Sequence, residues 1–158
     1  MPVVAYPSRV RPAPPALRLE VPDGWACPPP GDALVRVVGR GSAGDEVVVE
    51  VRHRVEAPDA VAGTVASSVA TAAAGASGEV EEVFLVEIAD REWTAHNVSR
   101  DDADGAVVEV HLVAVVGADD DAVSAVHVRG RVSGEGLDDD YDLLQQVLES
   151  VVVDGVDA

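Results

Sequence analysis

Alternation of apolar and polar residues is the first strong pattern along the chain. Leu17, Leu19 and Val21 share one parity, with Arg18 and Glu20 on the other, which predicts a half-buried strand ended by the turn residues Pro22-Asp23-Gly24. After Trp25 and the stiff run Cys27-Pro28-Pro29-Pro30-Gly31-Asp32, a short strand is expected from Leu34 to Val38, then a turn from Gly39 to Asp45. Glu46 to Val55 alternates again, setting Val47, Val49, Val51, His53 and Val55 against Glu50, Arg52 and Arg54. Pro58-Asp59 breaks this period. Val61, Val65 and Val69 then recur every four residues, predicting a helix capped by Asp59 that runs to about Ala74 and is stopped by Gly75 and Gly78. Its apolar stripe is thin and alanine-rich, so it should meet a sheet by close backbone approach.

The next stretch predicts a meander of strands at 82–89, 92–100, 106–116 and 123–132, with Asp104-Gly105 as the tight hairpin turn. Leu137-Asp138-Asp139-Asp140 opens a closing helix whose Tyr141, Leu144, Val147, Leu148 and Val151 form one stripe, with the aspartates favoured by the N-terminal dipole. The fold class is therefore α+β: an antiparallel β-sheet of about six or seven strands, with a helix after the third strand and a C-terminal helix packed on the sheet. Residues 1–16 carry five prolines and read as an extended arm, 17–153 as a single α+β domain, and 154–158 as a tail.

Composition narrows the partners. The 158 residues include 29 acidic and 11 basic ones, a formal charge of −18. Every basic residue is arginine, and isoleucine and asparagine occur once each, a bias against AT-rich codons that points to a GC-rich source, an actinobacterium in preference to a haloarchaeon, whose high-salt cytoplasm the −18 charge would also suit. Binding to nucleic acid or anionic membranes relies on clustered Lys or Arg, so neither partner is expected. A single cysteine, Cys27, excludes an internal disulfide and CxxC chemistry. Met1 to Pro7 lacks a basic segment followed by an apolar core, and no apolar run approaches the ~20 residues of a membrane span, so the expected location is the cytoplasm.

The run Leu17-Arg18-Leu19-Glu20-Val21-Pro22-Asp23-Gly24-Trp25, together with the element order and the end Leu148-Glu149-Ser150-Val151-Val152-Val153, resembles PsbP-like domains across roughly residues 17–153. That superfamily includes PsbP, actinobacterial lipoproteins of LpqN type, DcrB proteins and a nuclear import factor that binds the GTPase Ran. The resemblance implies a non-enzymatic fold used for protein binding or assembly, with no catalytic residues to carry over. The chain departs from the LpqN pattern in lacking a lipoprotein signal.

Candidate chemistry comes from strand parity. With Asp104-Gly105 as the turn, position i faces 209 minus i, which sets Trp93, Ala95 and Asn97 on the core face and His96 diagonal to His111 on the other. A five-residue loop before the next strand would place His127 directly opposite His111. His96, His111 and His127 would then share an exposed patch with Glu109, a donor set that zinc or another divalent transition metal accepts. The competing and favoured reading is a solvated ladder with Glu109 between Arg100 and Arg129 and no cofactor. Asp102, Asp104 and Gly105 imitate part of a calcium loop, but Arg100 and His111 stand at its first and twelfth positions, so it fails as an EF-hand. Asp119-Asp120-Asp121 and Asp138-Asp139-Asp140 read as a turn and a helix start. His53 has core parity, and Cys27 has no neighbouring base, so no catalytic residue is assigned. Trp25, Arg129 and Arg131 are the candidate interaction residues. The expected function is a protein-interaction or assembly module whose partner is another protein. The alternatives are a carrier holding a hydrophobic ligand between the C-terminal helix and the sheet, and a metal-binding protein using the histidine patch.

Overall fold

A computed structural model describes residues 12–102 and 105–153. Most of the expected arm, Asp104 of the expected turn, and the tail lie outside the described residues. The elements run β1 (Leu17–Arg18), β2 (Val35–Arg40), β3 (Glu46–Glu56), α1 (Ala62–Ala74), β4 (Glu79–Val80), β5 (Phe84–Ile88), β6 (Arg91–Asp102), β7 (Gly105–Ala118), β8 (Val123–Ser133), α2 (Leu137–Leu148) and β9 (Val152–Val153). The α+β class, the helix after the third strand and the C-terminal helix are as the periodicity predicts. Seven strands form one antiparallel sheet in the order β2-β3-β8-β7-β6, with β4 and β5 both pairing along the outer edge of β6. β1 and β9 make a separate two-stranded pair.

The two helices cover opposite faces. On the α2 face, Val47, Val49 and Val51 of β3, Trp93 and Ala95 of β6, Leu112 and Ala114 of β7 and Val126 and Val128 of β8 join Leu144, Val147 and Leu148 in one apolar core. α2 comes close because β8 carries Gly130 beneath it: a Cβ there would lie 2.6 Å from Leu144 Cδ1. Gly39 plays the same part at the sheet edge, since its hydrogen lets the Trp25 indole lie flat against β2. On the α1 face, Val65, Ala66 and Val69 pack on Val113 and Ala125, while Ala70 and Ala74 reach Val98. Small side chains and close backbones hold this helix, as its composition predicts.

Several boundaries differ from the sequence reading. The first strand pairs only over Leu17–Arg18, because beyond it the chain turns to α2's end, where Glu20 N–H donates to Ser150 Oγ at 2.8 Å. Gly39 and Arg40 continue β2 opposite Val47 and Glu46. Helix α1 starts at Ala62: Ala60 N–H closes a turn on the Ala57 carbonyl at 3.0 Å, and the Thr64 hydroxyl donates to the Val61 carbonyl at 2.9 Å. Ala89 and Asp90, with φ of 51° and 68°, form the two-residue turn joining β5 to β6.

Candidate functional site

The histidines and Glu109 do share one face, but through a different register. Gly105 pairs with Asp102 and so belongs to β7, which shifts the β6–β7 pairing by two residues and sets His96 directly opposite His111. On the other side of β7 a four-residue connection at 119–122 and an irregularity between Val115 and Gly117 place Arg129 opposite His111, with His127 opposite Val113. Both departures are two-residue slips. A one-residue slip would have turned the histidines to the other face, whereas a slip of two preserves it.

The expected solvent exposure is wrong. Glu109 and His111 are 1% exposed, His127 7% and His96 9%, because α1 and the flanking arginines lie over this face. His96 leaves the cluster, its Nδ1 donating to the Glu81 carbonyl at 3.0 Å. The other three form a chain: Glu109 Oε1 accepts from His111 Nε2 at 2.9 Å, and one proton bridges His111 Nδ1 and His127 Nε2, 2.8 Å apart, with the rings nearly parallel. Glu109 also receives Arg129 through Nε at 2.8 Å and Nη2 at 3.0 Å, and Arg100 Nη1 at 2.6 Å. Each carboxylate oxygen thus takes two donors. A carboxylate so occupied has little left to offer a cation, and among the described residues no group of three His, Cys, Asp or Glu is arranged to hold a metal ion.

The electrostatics follow from this packing. Burial pushes the Glu109 carboxyl up, but hydrogen bonds from Arg129, His111 and Arg100 and the Arg129 charge outweigh it and hold the group far below the usual carboxylate range. The same contact raises Arg129 against the opposing effect of burial. His127 is lowered to about 3, first by burial and then by the positive field of its neighbours, so its ring is neutral at ordinary pH.

The arginines beyond Glu109 extend the network. Glu50, also buried, accepts Arg52 Nη2 at 2.9 Å and Arg129 Nη1 at 3.2 Å, with Arg36 Nε 3.8 Å away. Arg54 pairs with Glu56 at 2.8 Å and Arg131 with Asp102 at 3.6 Å. Arg129 and Arg131, expected as interaction residues, therefore sit in one ladder with Arg36, Arg52 and Arg54. Sequence parity contained this ladder, since Arg52 and Arg54 alternate with valines on β3, but the β3–β8 pairing that joins it to Arg129 was not readable.

Other candidates separate. Trp25 is half-buried over Gly39 beside the α2-face core, and Cys27 is exposed. His53 Nε2 meets Ser124 Oγ on the α2 face, where burial lowers its pKa. Asp119 Oδ1 closes its own loop by accepting from the N–H groups of Asp121 and Ala122 at 2.8 and 3.0 Å. Asp140 is buried and accepts the Ser42 N–H at 2.7 Å, tying α2 to the β2–β3 turn. Leu144, Val147 and Leu148 are fully packed, filling the space between α2 and the sheet that a carried ligand would need. A separate cleft of about 450 Å³ opens at the sheet end between the β5–β6 turn and β9.

Sequence reading missed the outer edge of β5. Val83, just before β5, and Phe84 and Leu85 at its start are exposed, Leu85 by 62%, and the pairing of β5 among the described residues is with β6 alone. The available signal was the run Val83-Phe84-Leu85-Val86, which is apolar at both parities where a half-buried strand would alternate.

Comparison with known proteins agrees at the level of fold. No protein-family model matches the chain, and no curated protein matches it. Among solved structures, the chain is similar to LpqN of Mycobacterium tuberculosis, described as involved in cell envelope biogenesis, with a TM-score of 0.65, 14% identity, and coverage of 90% of this chain and 85% of that one. The likeness establishes a shared fold. No described helix is long and apolar enough to cross a membrane.

Proposed function

We propose that this chain is a non-enzymatic protein-interaction module that engages an extended segment of a partner along the outer edge of β5. The observation that carries the reading is the cost the chain accepts there. Its single phenylalanine and Leu85 face solvent on an edge strand, with exposed Val83 just before it, although the chain has only 3% aromatic residues with which to build its core. An exposed apolar edge is a template for strand addition: main-chain hydrogen bonds supply affinity, and alternate side chains supply selectivity. The buried polar cluster does not compete as a catalytic centre, because Glu109 and both nitrogens of His111 are engaged with other side chains. The fold shared with LpqN supports an assembly role related to the cell envelope.

Native mass spectrometry of the wild type and of Leu85→Arg, both purified from the native host without chelator, tests this. The expected result is a co-purifying protein present with the wild type and lost with the variant. Retention of the same partner by Leu85→Arg would move the contact off β5. A stoichiometric apolar small molecule instead of a protein would favour a carrier using the cleft beside Trp93.

A further inference from the structure

The chain carries −18 overall, yet six of its eleven arginines converge on one strip of the α1 face. Four guanidiniums, those of Arg36, Arg52, Arg100 and Arg129, share the two carboxylates Glu50 and Glu109, leaving two positive charges in excess. The flanking pairs Arg54–Glu56 and Arg131–Asp102 are balanced and extend the strip at either end. The carboxylates lie underneath and the arginines above: the Glu50 and Glu109 side chains are 11% and 1% exposed, against 37%, 42% and 37% for Arg36, Arg52 and Arg54. Arg52 contacts Glu50 through Nη2 and Arg54 contacts Glu56 through Nε.

We infer that this strip binds an acidic segment of a partner protein. Arg54 lies opposite Ala125, and Arg131 opposite Val48, six residues back along β3. At ~3.3 Å per residue the strip is roughly 20 Å long, the reach of about six extended residues. The guanidinium fork matches a carboxylate in a bidentate way, and buried carboxylates that fix the forks reduce the ordering cost of binding. A nucleic acid would match the positive charge, but Trp25, Phe84, Trp93 and Tyr141 all belong to the α2 face or the sheet edge. Among the described residues the strip therefore has no exposed ring on which a base could stack, since His96, His111 and His127 are buried.

The inference rests on the protein-binding reading but on a different surface from the β5 edge, so the two fail separately. The test is a fluorescence-anisotropy titration at low ionic strength with a labelled octaglutamate peptide, beside octaserine and an eight-nucleotide oligothymidine. Octaglutamate is expected to bind, to weaken as salt rises, and to weaken about tenfold with the Arg36→Ser/Arg52→Ser double variant. Leu85→Arg is expected to leave this binding undiminished. Amide chemical-shift mapping on the wild type provides a readout that does not depend on the variants folding, with perturbations expected along β3 and β8. Absence of octaglutamate binding, equal binding by the double variant, perturbations elsewhere, or preference for the oligonucleotide would each overturn the inference.

Discussion

The two faces of the same sheet are stabilised by different physics. On the α2 face every strand but β4 contributes branched aliphatic or aromatic side chains, and the helix settles onto Gly130 through Leu144. On the α1 face the apolar contacts are valines and alanines under a helix without large side chains, and beside them lies a network of two carboxylates, four arginines and two histidines. The first face is non-directional, so its stability scales with area and fit. The second is directional: with its hydrogen bonds complete it holds one register, and with one member missing it leaves buried charge uncompensated. A sheet can thus confine tolerance to substitution to one side and geometric specificity to the other.

Removing the hub of the polar network should have the largest effect. Glu109→Gln takes the charge from beneath Arg129 and Arg100 and should cost about 3–5 kcal/mol, read by urea unfolding. A cost under about 1 kcal/mol would mean that the network is solvated and the contrast between the faces false. Leu144→Ala on the other face should cost about 2–5 kcal/mol, with the polar hydrogen bonds intact by NMR. Gly130→Ala should cost about 1–3 kcal/mol by lifting α2 off β8, and a neutral result would show that the helix adjusts freely.

A pH titration sharpens the comparison. His127 has a folded pKa of about 3, below its ordinary 6.5, so the unfolded chain binds the extra proton. Its contribution is fully present above pH 6.5 and is lost as pH falls toward about 3, at about 1.4 kcal/mol per pH unit. Glu109, also lowered, adds a loss of the same sign below 4.5. Between pH 6.5 and 4.5, His127→Gln should therefore show a shallower decline than the wild type, and parallel curves would place His127 in solvent. The smallest effect is expected from Arg54→Gln, whose exposed pair with Glu56 should contribute about 0–1 kcal/mol by thermal melting.

Period-2 and period-4 patterns were enough to locate β3, β6, β7, β8 and both helices, because each has one side that is mostly apolar while the other carries polar residues, even where both sides are buried. Parity also placed His96, His111, His127 and Glu109 on one face, and that grouping survived two register errors because each was a slip of two. The extents of β1 and β2 were not legible, since Glu20 and Gly39 are positioned by Ser150 and Trp25, partners distant in sequence. Nor was the burial of the histidines, which depends on where α1 lies.

By itself the sequence determined which side chains could share a face, because a strand's alternation is a local geometric property. Only the tertiary structure decided what each face became. Pairing β3 with β8 brought Glu50 to Arg129, and seating α1 over β6 and β7 took Glu109 and its histidines out of water. Those outcomes turn on long-range pairing and on desolvation by a distant helix, and neither leaves a period along the chain.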